Sequence, residues 1–184
     1  VNPGVATALL DAQTVPISVT PVNDPPLLTV PGAQTVPEDT ALLLPGISVA
    51  DMDVGETPGG TLQVTLSVGH GAVTLVVTGG LTVTGNGTGN VQATGTLANL
   101  NAAFSGVTYA PSTNFNGSDT LTVTTNDRGN TGSGGPKTAT NIVDIAVQPV
   151  NDPPVSLQVT ADGAVIDESQ STTLAGSFFD SDAG

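Results

Sequence analysis

The sequence is poor in reactive side chains: among its 184 residues it has no cysteine and no tryptophan, a single histidine, a single tyrosine and four phenylalanines. Without thiols there is no disulfide, no thiolate metal site and no thiol catalysis. The single histidine, His70, lies between Gly69 and Gly71 and reads as an exposed turn residue. With no serine in an elbow motif beside it, no nucleophilic triad is spelled out. The scarcity of aromatic rings removes the stacking platforms of a sugar site, which argues against reading neighbouring carboxylates as a glycosidase pair. The expectation is a protein that is not an enzyme. No run of about eighteen apolar residues crosses a membrane, and no basic-then-apolar export segment begins at Val1.

Positive charge is equally scarce. Arg128 and Lys137 face sixteen acids, a formal net charge of −14. Such a surface repels nucleic acid and anionic lipid, so neither a nucleic-acid partner nor membrane insertion is expected of this segment. It also repels itself unless cations neutralise it. Lys137, the only lysine, is the single candidate for an isopeptide staple and is discounted. The apolar residues, 38% of the chain, are mostly Val, Leu, Ile and Ala. That gives an aliphatic, β-branched core, sufficient for a sandwich of about 120 residues to fold without staples.

One stretch organises the chain. Val22-Asn23-Asp24-Pro25-Pro26 returns letter for letter as Val150-Asn151-Asp152-Pro153-Pro154. The interval is too long for a solenoid unit and fits one β-sandwich with its linker. The strands leading into the two copies correspond (Val15 to Pro21 over Val143 to Pro149). So do Glu38-Asp39 with Asp167-Glu168, after one inserted residue, and Asp51 and Asp53 with Asp180 and Asp182. Two adjacent prolines fix φ and press the preceding residue into an extended conformation, which makes each copy a stiff connector bearing an amide and a carboxylate. The expected organisation is the last strand of a preceding unit over 1–22, a linker at 23–26, a complete domain over 27–148, a second linker at 149–154, and the opening strands of a following unit over 155–184.

Between the linkers, Thr and Val alternate and Gly, Pro, Asn and Asp mark the breaks, which predicts an all-β fold. Strands are expected over 27–36 (bulged at Pro31-Gly32), 41–49, 61–68, 72–78, 81–84, 91–94, 107–110, 120–125 and 138–148. Gly69-His70-Gly71 reads as a tight hairpin. Residues 85–90 read as a loop whose glycines and asparagines tolerate positive φ. Leu97, Leu100 and Phe104 share a face, which predicts a two-turn helix over 97–104. If the first strand runs away from the linker, the loops at Asp51 and Asp127 return to the linker end, while Glu38 and Asn116 fall at the far end. Asp119 is expected to hold a corner through backbone hydrogen bonds.

These motifs, in this order, resemble the cadherin-like tandem repeats of large bacterial surface adhesins, including those of the RTX type. The residues that carry the likeness are the Val-Asn-Asp-Pro-Pro linkers, Glu38-Asp39-Thr40, Asp51-Met52-Asp53, Thr96 to Tyr109 and Asn114 to Val123. The resemblance implies a Greek-key β-sandwich, cadherin- or Ig-like, repeated in tandem, with calcium held between consecutive domains. Carried over by position, it implies ligands Asn23, Asp24, Asp51, Asp53 and Asp127 at the first junction. At the second it implies Glu38, Asp39, Asn151, Asp152, Asp180 and Asp182. Calcium takes six to eight hard oxygens, which these residue types supply.

The sequence departs from the cadherin pattern at Pro21 and Pro25, and again at Asn114 to Asn116, which stand in place of a Leu-Asp-x-Glu motif. One or two ions per junction are expected rather than three. The glycine-rich loop carries Asn86 and Asn90 where related repeats place Asp, which argues against a separate calcium there.

The function this implies is a calcium-rigidified spacer in a secreted or cell-surface bacterial adhesin, used in cell adhesion or biofilm attachment, with neighbouring repeats as its partners. Two alternatives stand beside it. One is the repeat unit of a self-associating extracellular fibre, sheath or matrix. The other is a carbohydrate-binding module.

Overall fold

A computed structural model describes residues 13–77, 79–153, 156–159 and 176–179. Between the linkers the chain forms β1 (Leu27–Thr29), β2 (Gln34–Pro37), β3 (Leu42–Leu43), β4 (Ser48–Ala50), β5 (Leu62–Ser67), β6 (Gly71–Thr74), β7 (Leu81–Thr84) and β8 (Asn90–Gly95). They are followed by helix α1 (Leu97–Phe104), β9 (Thr108–Pro111), β10 (Gly117–Asn126) and β11 (Thr138–Gln148). Beyond the second linker, β12 (Ser156–Val159) pairs antiparallel with β13 (Gly176–Phe179).

The period-two pattern becomes two faces. In β5, Leu62, Val64 and Leu66 are fully buried while Gln63, Thr65 and Ser67 point outward. The same alternation buries Leu121 and Val123 in β10 and Val143, Ile145 and Val147 in β11. Six strands join in the order β2-β11-β10-β5-β8-β7, with β2 parallel to β11 and every other neighbour antiparallel. Facing them are β3-β9-β6 and the pair β1-β4. Leu44 N donates to Val107 O at 2.8 Å, which carries the β3–β9 ladder toward β4. The inner faces enclose one aliphatic core with Phe104 and Tyr109 at 0% exposure, an all-β sandwich.

Helix α1 forms where the apolar spacing predicts it. Thr96 caps it by accepting the Asn99 N–H, and Leu100 and Phe104 enter the core. Strand β11 also spans the predicted residues.

Other elements differ from expectation. Residues 27–36 are not one bulged strand, because the break at 30–33 separates β1, paired with β4, from β2, paired with β11. Pro31 cannot donate to a ladder, so the chain changes sheets there instead of bulging. Residues 41–49 divide in the same way at Pro45-Gly46, where Gly46 has φ 91°. Gly69-His70 is not a hairpin either. Strand β5 pairs with β10 and β8 while β6 pairs with β9, so this turn crosses between sheets as a Greek-key connection does. Residues 13–21, expected to end in a strand, contain none. Val15, Ile17 and Val19 are 77%, 84% and 85% exposed, whereas their repeat counterparts Val143, Ile145 and Val147 are buried. Ile145 and Val147 have ladder partners on both sides and Val143 on one, and no strand among the described residues pairs with 13–21.

Asparagines complete backbone pairing that the sheets leave open. Asn101 of α1 accepts from Val49 N at 2.9 Å and donates to Val49 O at 2.8 Å. Asn86 pairs with both backbone groups of Leu75, and Asn130 with both of Thr61. A side-chain amide has the donor and acceptor of a peptide group, so each stands in for a missing strand. Removing one leaves a part-buried N–H and C=O unpaired, a cost of about 1–3 kcal/mol. Asn101→Ala is therefore expected to lower the unfolding free energy by that amount, read as a lower urea midpoint at unchanged m-value. An unfolding free energy within about 0.3 kcal/mol of the parent protein's would show that water replaces the amide.

Candidate metal-binding junction

The loop between β10 and β11 is built around Asp127, which is 1% exposed. Its Oδ1 accepts from Gly129 N at 2.8 Å and Lys137 N at 2.7 Å. Arg128 and Gly129 adopt φ of 62° and 67°, which turns the chain tightly enough for the carboxylate to reach both N–H groups. The remaining oxygen, Oδ2, accepts from Asn23 Nδ2 at 2.6 Å. Asn23 Nδ2 also donates to Gly135 O at 3.0 Å. The same loop holds the linker backbone: Asn23 N donates to Ser133 O and Ser133 N to Pro21 O, both at 3.0 Å. Gly132 makes this approach possible, because a Cβ there would lie 2.7 Å from Asn23 N and from Val22 C.

The acidic loop approaches the linker from the other side. Asp51 Oδ1 accepts from Asp53 N and Val54 N, each at 2.9 Å, which winds Val54–Glu56 into a single 3₁₀ turn. Asp53, 7% exposed, accepts from Asp24 N at 2.6 Å through Oδ2. Its carbonyl receives the Thr131 hydroxyl at 3.0 Å and so ties the acidic loop to the glycine-rich one. Asn23, Asp24, Asp51, Asp53 and Asp127 thus belong to one hydrogen-bonded network at one end of the sandwich, where the strand directions place them.

The carboxylates are largely occupied by backbone N–H groups. Among the described residues no three carboxylate or imidazole groups stand together as a metal cluster. Two oxygens of the network are different. Asn23 Oδ1 and Asp51 Oδ2 are buried with no hydrogen-bond partner, and only Thr125 Oγ1 shares that state among the described residues. An unmatched buried oxygen is costly. A hard cation is a partner it can take.

At the far end, Glu38 is 2% exposed. Its Oε1 accepts from Val150 N at 2.6 Å, its Oε2 is 3.5 Å from Asn116 Nδ2, and its N–H donates to Gln148 O at 2.8 Å. Glu38 therefore pins the start of the second linker. Asp39, exposed and with φ 58°, accepts from Asn114 N at 3.1 Å. It lies at the same end, and its contact there is with Asn114 and not with Glu38. Asn151 Nδ2 donates to Asp152 O at 3.3 Å. Asp180 and Asp182 lie outside the described residues.

Asp119 holds the corner from inside β10, accepting from Gly69 N and His70 N at 2.9 Å, Thr120 N at 2.8 Å and the Tyr109 hydroxyl at 2.8 Å. Burial pushes its carboxyl up, but the four donors outweigh burial and hold it below the ordinary range. Burial, reinforced by Asp119, pushes the Tyr109 phenol up. His70 is exposed and its ring stacks on Phe115 with centroids 4.1 Å apart. The burial of Asn23 and the grip of Gly132 on the linker have no sequence signal of their own. The length of the Asn126–Pro136 loop is the one available clue.

Two outcomes are expected. Gly132→Val should release the linker while leaving the sandwich folded. Amide exchange at Asn23 and Ser133 would then rise at least tenfold with little change in core amides, and unchanged exchange at both would show that the loop does not grip. For Asp119, the folded carboxyl sits below its unfolded value near 3.9. Its contribution is present above about pH 4 and is lost as pH falls through the depressed folded value. Asp119→Asn should therefore flatten the acid limb of stability between about pH 4 and pH 2, as followed by melting temperature. No family model matches the chain, and no curated protein matches it.

Proposed function

We propose that this chain is a calcium-stiffened structural repeat, a non-enzymatic spacer of a secreted or cell-surface bacterial adhesin that carries a distal binding region away from the cell. The observation that carries the reading is the pair of unpartnered buried oxygens, Asn23 Oδ1 and Asp51 Oδ2, one from the linker and one from the acidic loop. Both are hard donors. Asp24, Asp53 and Asp127 belong to the same hydrogen-bonded network, and amides and carboxylates are the donor types that calcium prefers. The resemblance of the linker and acidic motifs to calcium-binding tandem repeats supports the same assignment, with one or two ions per junction. The net charge of −14 adds a second reason for a divalent cation, since carboxylates gathered at a junction repel one another without one.

In this reading calcium acts mechanically. Bound between the linker and the acidic loop, it fixes the angle at which one unit leaves the next, and its removal loosens the hinge without unfolding the core. Extracellular modules of this kind hold calcium with Kd on the order of 10⁻⁴–10⁻³ M, so the junction is filled outside cells and empty in chelator.

Calcium titration of the chain is expected to raise the melting temperature and protect the peptide bonds around Asn23-Asp24 from protease. At a free concentration one hundred times Kd the stabilisation is about 2.7 kcal/mol. Asn23→Ala and Asp51→Ala should each weaken the calcium effect at least tenfold while magnesium remains without effect. A melting temperature and a cleavage pattern identical in millimolar calcium and in chelator would overturn the proposal.

A further inference from the structure

The outer face of the six-stranded sheet is almost without charge. Along its strands the outward residues are mostly threonines, serines and amides, with Pro37, Ile142 and Ala146 the apolar exceptions, and Asp144 alone carries a charge. The ladder registers align them in rows, of which Thr140, Thr124, Thr65, Gln92 and Thr84 form one across β11, β10, β5, β8 and β7. Within it Thr124 Oγ1 and Thr140 Oγ1 are 3.0 Å apart. One row away, Ile142 projects outward and is 55% exposed.

In a chain of net charge −14 this distribution has a consequence. The acids of the described unit sit mainly at its two ends and in its loops. Two copies meeting end to end, or through those loops, bring like charges together, a juxtaposition that opposes association. Two copies meeting through the outer sheet face do not. We infer that this face is a lateral contact surface, and that its occupant is a second copy of this chain docked face to face about a twofold axis. Two such faces can pack through their threonine methyls at the spacing of stacked sheets, about 10 Å. Its hydroxyls and amides donate and accept at once, so they pair with an identical face, as an isologous contact requires.

The size of the face sets the strength of the contact. Six strands at about 4.8 Å, averaging about seven residues each at about 3.4 Å per residue, give on the order of 650 Å² per copy. A standard interface buries about 800 Å² per partner. One unit therefore pairs weakly, and a lasting contact needs several units in register on each chain, where linkage raises effective concentration. The contact involves no residue of the junction network and does not depend on calcium.

Because the chain has no cysteine, a single introduced thiol reports encounters directly. Thr124→Cys places one near the centre of the face. Ala110→Cys places one on the outer face of β9, in the opposite sheet, where Ala110 is exposed. Under mild oxidation in chelator, the Thr124→Cys chain is expected to form disulfide-linked dimers at least ten times faster than the Ala110→Cys chain. Adding Thr65→Asp beside the thiol should bring the rate down to that of the control, and melting temperature reports that each variant is folded. Equal trapping rates for the two thiols, or a rate indifferent to Thr65→Asp, would overturn the inference.

Discussion

The bond from Asn23 Nδ2 to Asp127 Oδ2 fixes where the linker meets the sandwich, and most of what is distinctive in this end of the molecule follows from it. Both partners are buried, at 1% exposure each, and a hydrogen bond to a charged group contributes about 1.5–3 kcal/mol. With its amide nitrogen committed to Asp127 and Gly135, Asn23 turns its oxygen into a place where no protein donor follows. The orphaned oxygen is thus a product of the clamp. Asp127 in turn is held by Gly129 and Lys137, so the linker is referred back, through a single carboxylate, to both strands β10 and β11. A connector anchored in this way inherits the rigidity of the sheet.

Charge and strand pattern divide the surface between two chemistries. Turns need groups that bond to their own backbone, and Asp51, Asp119 and Asp127 meet that need before any metal is considered. Strands need residues that tolerate extended backbone and half-burial, and threonine meets that one without charge. The result is acid at the turns and hydroxyl along the sheets. A single loop aspartate can form its turn with one oxygen alone: Asp51 accepts both N–H groups through Oδ1 and leaves Oδ2 buried without a partner.

Much of this was legible in the sequence because it depends on local periodicity. The alternation of Leu62, Val64 and Leu66 predicts a strand with one buried face, the spacing of Leu97, Leu100 and Phe104 predicts a helix, and following strand direction places Asp51 and Asp127 at the linker end. What failed was long-range. Whether residues 27–36 bulge or change sheets depends on partners more than a hundred residues away, since β2 pairs with β11. Whether Gly69-His70 closes a hairpin or crosses the core depends on β9 and β10 arriving later in the chain. The amide pairs at Asn86, Asn101 and Asn130 were equally hidden, because an asparagine in a loop has the same local pattern whether it meets water or a strand edge. The burial of Glu38 belongs with these, since its partner Val150 lies 112 residues further along the chain.

The parallel pairing of β2 with β11 has a consequence for load. Strand β2 lies close behind the entering linker and β11 runs directly into the departing one, so tension applied through the two connectors draws these strands past each other along their length. In that geometry the rungs from Ile145–Gln34 to Gln148–Pro37 are strained together, along with the adjoining Glu38 contacts to Gln148 and Val150. An antiparallel hairpin tugged from its open end separates one rung at a time. Here rupture demands that the whole set yield in a single event, so this short four-residue strand is where the unit resists being pulled apart.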